Sequence, residues 1–172
     1  DAMRAARWAC RFSRWAQPWR WIALSLFGPI DRWRAPLPAP QKVEWVDRVV
    51  YAHRGLHGPH APENSLAAFE AAAAKGLGIE LDVQRSSDGQ AIVFHDWELD
   101  RMTAETGPLV YRSADQLGRI RLVGDGMIPT LRQALDVIGG RVPVLIEIKT
   151  RASTRVAALC LAVRRVLEGY RG

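Results

Sequence analysis

Glu80 and Asp82 stand two residues apart in the run Gly78-Ile-Glu-Leu-Asp-Val83, a spacing that a strand turns into two side chains on one face. Carboxylates sharing so small a space repel, so the pair needs either a cation between them or a solvated surface. A bare Glu-x-Asp fits both. Three other places favour the cation. His53-Arg54 follows the apolar run Val49-Val50-Tyr51-Ala52, His95-Asp96 follows Ala91-Ile-Val-Phe94, and Glu147 and Lys149 alternate with Ile146 and Ile148. Four predicted strands thus carry ionisable residues at or near their C-terminal ends, where barrel and doubly wound α/β folds place chemistry.

The elements that must position these residues are legible to different degrees. His53 to Glu63 is a loop rich in Gly, Pro and His, in which His57 and His60 read as solvated. Asn64 or Ser65 caps a helix with Leu66, Phe69 and Ala73 on one face, and Gly76 stops it. The chain then enters the Ile79 strand, completing a right-handed strand-helix-strand unit. Ser87-Asp88-Gly89 makes a turn into the Ala91 strand. Trp97 to Arg141 is a long connection with a weak helical signal at Ser113 to Leu117. Near its end, Thr130-x-x-Gln133 is a capping box opening a helix through Leu131, Leu135 and Ile138 to Gly139-Gly140. A strand over Val142 to Lys149 follows. The last helix starts at Thr154, turns Val156, Leu159, Val163 and Val166 or Leu167 inward, and closes at Gly169. Beside that stripe Cys160 reads as a small hydrophobe.

With 48% hydrophobic and 24% charged residues the chain has ordinary globular composition. Its net charge of +6 is uneven. Residues 1 to 45 hold eight Arg or Lys against three Asp or Glu, which leaves +1 for the remainder. The basicity therefore belongs to residues 1-40, a Trp/Arg-rich leader ending in the proline linker Ala35-Pro-Leu-Pro-Ala-Pro40, with the folded domain over 41-172. Arg4, Arg7, Arg11 and Arg14 lie beside a Trp8, Phe12, Trp15, Trp19 stripe. That pairing suits a helix in a membrane interface and equally one docked on the globular body. Peripheral membrane contact through residues 1-27 is one expectation, and nucleic acid is not an expected partner, since no reading motif accompanies the charge. Trp21 to Phe27 is too short to span a bilayer. Cys10 and Cys160 form no spacing pattern, which points to a reducing, cytoplasmic setting, with the leader able to bring the protein to a membrane.

Taken together, His53-Arg54-Gly55, Pro62-Glu63-Asn64-Ser65, Glu80-Leu81-Asp82-Val83, Asp88-Gly89, His95-Asp96, Ile128-Pro129-Thr130-Leu131 and Ile146-Glu147-Ile148-Lys149 resemble the glycerophosphodiester phosphodiesterase family over about residues 50 to 165. The resemblance implies a (β/α)8 TIM barrel of the phospholipase-C-like phosphodiesterase type. It also implies metal-dependent hydrolysis of glycerophosphodiesters to sn-glycerol 3-phosphate and an alcohol. Glu80, Asp82 and Glu147 match the metal-binding carboxylates, and three hard oxygen ligands favour Mg2+ or Ca2+ over Zn2+. His53 and His95 match the general acid and base, Arg54 and Lys149 the groups on the phosphate oxygens, and Asn64 a supporting substrate-binding position with a helix cap as its plain alternative. Related barrel phosphodiesterases, sphingomyelinase-D-like or phosphoinositide-cleaving, and a membrane-anchored non-catalytic relative are the alternatives.

A (β/α)8 barrel takes about 250 residues, whereas about 130 follow the leader. The expectation is therefore the N-terminal half of a barrel, from an incomplete sequence. Such a half exposes an edge strand and apolar surface, so the 172-residue chain alone is expected to aggregate and to be nearly inactive.

Overall fold

The computed structural model describes residues 39-151 and 156-172. They belong to two units, divided after Arg48. In the first, a four-residue helix α1 (Pro40–Val43) runs into a 3-10 segment at Glu44–Arg48. The expected interfacial helix, the proline linker up to residue 38 and the helix start at Thr154 lie outside the described residues. No helix among the described residues is long and apolar enough to cross a membrane.

The second unit is built on β2 (Gly78–Arg85), which pairs with β1 (Tyr51–His53), β3 (Ala91–Val93) and β4 (Val144–Ile148). Glu80 is in register with both His53 and Leu145, and Val83 with both Val93 and Ile148. A strand has two edges, so β1 and β3 must share one in succession while β4 takes the other. The β1 and β4 pairings are parallel and the β3 pairing is antiparallel. Antiparallel return matters for the site. The hairpin through Asp88-Gly89 sends the chain back along β2 until Phe94 N–H reaches the Asp82 carbonyl at 3.0 Å. His95 therefore arrives level with the carboxylates.

Three helices cover one face of the sheet. α2 (Leu66–Ala74) begins where the Ser65 hydroxyl accepts the Ala68 N–H at 3.2 Å, so Ser65 and not Asn64 is its cap. α4 (Leu131–Ile138) opens on the expected Thr130/Gln133 capping box and ends at Gly139 in the left-handed conformation, φ 60°. Phe69 and Ala72 of α2, Leu131, Leu135 and Ile138 of α4, and Leu159 and Val163 of α5 (Val156–Glu168) bury Ile79, Leu81 and Val83 from β2. Period two then sends Glu80, Asp82 and Gln84 to the other face.

Two regions depart from the expectations. Residues 97-141 carry more than a loose connection with one weak helix. Leu99, Leu109, Leu117, Ile120, Leu122 and Ile128 form a second apolar cluster with Ile92 and Phe94. Short pieces line it, a 3-10 turn at Leu109–Tyr111 and α3 (Ala114–Leu117) with a Ser113/Gln116 capping box, none long enough to show a period. On α5 the buried stripe is Leu159, Ala162 and Val163, with Val166 packed against it, whereas Val156 and Leu167 are each 41% exposed. The stripe's i, i+3, i+4, i+7 spacing leaves those two on its flank. Cys160 lies further round, exposed, lining a shallow groove of about 490 Å³ with Ile148, Val163, Arg164, Leu167 and Glu168. Val144, Leu145 and Ile146 of β4 are only half-buried.

Candidate active site

The site is assembled on the face of the sheet opposite the helices. Glu80 and Asp82 project from β2 and Glu147 from β4, and the register Asp82↔Glu147 places the last beside the second. One carboxylate oxygen from each lies within 4.8 Å of the other two. The three acidic residues singled out in the sequence thus converge on one point.

Each is held differently. Asp82 is 1% exposed. Its Oδ2 accepts from Asn64 Nδ2 at 2.9 Å while Asn64 Oδ1 accepts the Asp82 N–H at 3.3 Å. Asn64, 2% exposed, therefore spends both ends of its amide on Asp82. Asp82 Oδ1 lies 2.9 Å from Lys149 Nζ, an ion pair whose angles do not make a hydrogen bond. Lys149 donates instead to Glu147 Oε1 at 2.7 Å. Burial depresses the Lys149 ammonium pKa, but Glu147 and Asp82 outweigh it and hold the value above its ordinary one. For Glu80, burial raises the pKa, the Arg54 N–H opposes, and the charges of Asp82 and Glu147 add to the rise.

The loop after β1 wraps this cluster. Arg54 and Asn64 both adopt φ 58°, unusual for residues with a Cβ. For Arg54 the cost is roughly 1–2 kcal/mol, and it turns the Arg54 N–H onto Glu80 Oε2 at 3.0 Å. A hydrogen bond to a charged group contributes about 1.5–3 kcal/mol, enough to offset the strain. The Arg54 guanidinium reaches Glu63 Oε1 at 2.9 Å and brings Nε to 3.3 Å from Asp82 Oδ2, without hydrogen-bond alignment there. His53 stays exposed, its Nε2 3.9 Å from Glu80 Oε2. His57 and His60 are exposed on a turn closed by the Gly58↔Ala61 bridge, away from any partner that the cluster supplies.

His95 is fixed from two directions. Gln84, the next residue on the carboxylate face of β2, donates its Nε2 to the carbonyls of Phe94, His95 and Asp96 at 2.9, 3.1 and 2.6 Å. The imidazole Nδ1 lies 2.6 Å from Asp96 Oδ1. Arg101 grips both Asp96 oxygens, at 2.5 and 3.0 Å, and both Glu63 oxygens, at 2.6 and 3.2 Å. Arg101 first and then His95 hold the Asp96 carboxyl down to about 2, against the opposing effect of burial. Burial would raise Glu63, but Arg101 and Arg54 hold it below the ordinary glutamate value.

Glu63, Gln84, Asp96 and Arg101 were not singled out as site residues from the sequence. Glu63 and Asp96 stand in stretches that carry the resemblance, Pro62-Glu63-Asn64-Ser65 and His95-Asp96, and Gln84 extends the Glu80, Asp82 alternation by one step. Arg101 meets Glu63 across 38 positions with no regular element to signal it.

A divalent cation fits this donor set. Asp82 Oδ1 is buried and lacks a hydrogen bond. Five carboxylates, Glu63, Glu80, Asp82, Asp96 and Glu147, face three cations, Arg54, Arg101 and Lys149. With the carboxylates ionised and the histidines neutral the formal balance is two negative charges, which one divalent ion cancels. The ligands are all oxygen, the choice of hard cations.

The family model for the "Glycerophosphoryl diester phosphodiesterase family" matches residues 53–171. Glycerophosphodiester phosphodiesterase 1 of Homo sapiens is 36% identical over 126 residues, 66% of this chain and 38% of the relative. Glycerophosphodiester phosphodiesterase of Bacillus altitudinis is 36% identical over 112 residues, 60% of this chain and 45% of the relative. This chain thus spans less than half the length of either. Among solved structures, an Oleispira antarctica phosphodiesterase in complex with the product sn-glycerol-3-phosphate is 29% identical with a TM-score of 0.67, covering 74% of this chain and 55% of that one. Glycerophosphodiester phosphodiesterase from Agrobacterium tumefaciens is 37% identical with a TM-score of 0.57, covering 69% and 53%. On the extent of the family match and the identity of the residues gathered at the site, the chain belongs to the glycerophosphoryl diester phosphodiesterase family.

Proposed function

We propose that the protein hydrolyses glycerophosphodiesters to sn-glycerol 3-phosphate and an alcohol, with one divalent cation, Mg2+ or Ca2+, held by Glu80, Asp82 and Glu147. The observation that carries this is the carboxylate trio, one oxygen from each within 4.8 Å, with Lys149 and Arg54 on it and His53 beside Glu80. The parallel β1, β2 and β4 are read as strands of a (β/α)8 barrel, which the likeness to the solved structures supports. Residues 1-27 are assigned to the interface of an anionic membrane on the cytoplasmic side, supported by their Arg and Trp composition.

A phosphodiester is an anion that repels nucleophiles, and charge grows on its non-bridging oxygens as it reacts. When bound, the cation supplies neutralisation of that charge. Arg54 and Lys149 act at the same place, the guanidinium as a fork and the ammonium as a point charge. Proton traffic falls to the imidazoles. One takes the proton of the attacking hydroxyl as the new P–O bond forms. Attack by water gives glycerol 3-phosphate directly, and attack by the neighbouring glycerol hydroxyl gives a cyclic phosphate that water then opens to the same product. The other imidazole delivers a proton to the departing alkoxide as its P–O bond breaks. With Nδ1 of His95 against Asp96, Nε2 is the atom left to exchange that proton. Asn64 holds Asp82 in place.

Phosphorus NMR of glycerophosphocholine incubated with the protein as its gene encodes it tests the assignment. The expected product is glycerol 3-phosphate, its formation stopped by a chelator and restored by Mg2+ or Ca2+. Cleavage confined to intact sphingomyelin or phosphoinositides would move the protein to a related phosphodiesterase class. Liposome binding that is lost on deleting residues 1 to 34, with no hydrolysis at all, would make it a non-catalytic relative.

A further inference from the structure

We propose that Arg101 is a positioning residue that ties the acid-base residue His95 to the phosphate-binding Arg54, by clamping Asp96 behind His95 and Glu63 behind Arg54. This rests on the phosphodiesterase function proposed above. Three ion pairs and a histidine–carboxylate contact run in series: Arg54 to Glu63 at 2.9 Å, Glu63 to Arg101 at 2.6 Å, Arg101 to Asp96 at 2.5 Å, and Asp96 to His95 at 2.6 Å. The two carboxylates come from loops 33 positions apart in sequence, one following β1 and the other following β3.

Arginine is suited to this place for a geometric reason. Its planar fork carries five N–H donors, and here Nε and Nη2 take the two Asp96 oxygens while Nη1 and Nη2 take those of Glu63. A lysine supplies the charge without the plane. Asp96, gripped in this way, cannot turn away from His95, and its ionised carboxylate accepts a hydrogen bond from a proton that stays on Nδ1. The ring is thereby fixed in the tautomer that leaves Nε2 free. On the other side, Glu63 stops the Arg54 guanidinium from closing fully onto Asp82.

Stability alone does not account for the arrangement. Arg101 is 47% exposed at its side chain, and ion pairs so open to solvent add little to stability. The bridge therefore acts chiefly on geometry, and the rate should suffer more than the fold.

The test uses Arg101→Ala, Arg101→Lys and Asp96→Asn in the protein as its gene encodes it, with glycerophosphocholine hydrolysis, thermal midpoints and 15N NMR of the histidine rings. Arg101→Ala is expected to lower kcat on the order of 10- to 100-fold, short of the factor a general acid or base itself contributes, with KM nearly unchanged. Arg101→Lys should recover part of the loss. In the wild type the His95 ring proton should reside on Nδ1 at neutral pH, and Asp96→Asn, whose amide can donate to that nitrogen, should shift it to Nε2. An unchanged kcat in Arg101→Ala, a kcat loss matched by a collapse in thermal midpoint that Arg101→Lys does not separate, or a wild-type proton on Nε2 overturns the proposal. A wild type that releases no glycerol 3-phosphate brings down the phosphodiesterase function instead, and the 15N spectrum still decides for or against the bridge.

Discussion

Asn64 shows how much of this site depends on a residue that ionises nothing. Both ends of its amide are spent on Asp82, inside a region where neither group reaches water. Asn64→Gly is the clean probe, because glycine accepts the φ of 58° that an alanine would strain against. The variant should lose about 1–3 kcal/mol of stability from the stranded Asp82 groups, and roughly 10- to 100-fold in cation affinity because the ligand is no longer aimed. Thermal melts and cation titration of the variant against wild type measure the two separately. A loss of stability with full cation affinity would make Asn64 a packing residue only. The sequence showed Asn64 as a cap candidate or a motif residue, and only the fold separates these by giving the cap to Ser65. The chemistry-bearing residues themselves were readable, because period two puts Glu80 and Asp82 on one face whatever the tertiary structure does. Glu63 and Arg101 were not, since their meeting is made by loops that leave no periodic trace.

At the level of elements, the hairpin of β2 and β3 and the close approach of the β1 loop to α2 do the positioning. Gly55 sits where that loop crosses α2, with φ 81° and with Ala68 so near that a Cβ would fall 2.9 Å from its carbonyl carbon and its Cβ. Neither atom is a flexible chain end that can move aside. Gly55→Ala should therefore push the loop off α2, costing about 1–3 kcal/mol and displacing Arg54 and the hydrogen bond its N–H gives Glu80. Chemical denaturation measures the first effect and hydrolysis the second. A variant as stable and as active as wild type would show that the loop has room to shift. Helices α2 and α4 were readable from caps and apolar spacing, and β2 from alternation. The second apolar cluster, around Leu99 and Leu109, was not, because 3-10 turns and isolated bridges hold it together and carry no period to detect.

For the molecule as a whole, charge ties site to stability. Without a cation, the repulsion among Glu80, Asp82 and Glu147 is relieved chiefly by Arg54 and Lys149 among the described residues. The Glu80 pKa is raised in the folded protein, foremost by burial. Its favourable contribution is thus complete below the ordinary glutamate value and is lost as pH rises through the higher folded one. A bound cation reverses that loss, so added Mg2+ or Ca2+ should raise the melting temperature more above this window than below it, where protons compete for the same oxygens. Saturation at 100 times the dissociation constant corresponds to about 2.7 kcal/mol. The decisive measurement is a titration of the protein with Mn2+ as a paramagnetic stand-in, followed by displacement with Mg2+ and Ca2+, in wild type and in Asp82→Asn. The geometry predicts one ion per chain, displaced by both cations and lost in the variant. Binding that survives unchanged in Asp82→Asn, or no binding at all, would contradict a metal centre on Glu80, Asp82 and Glu147.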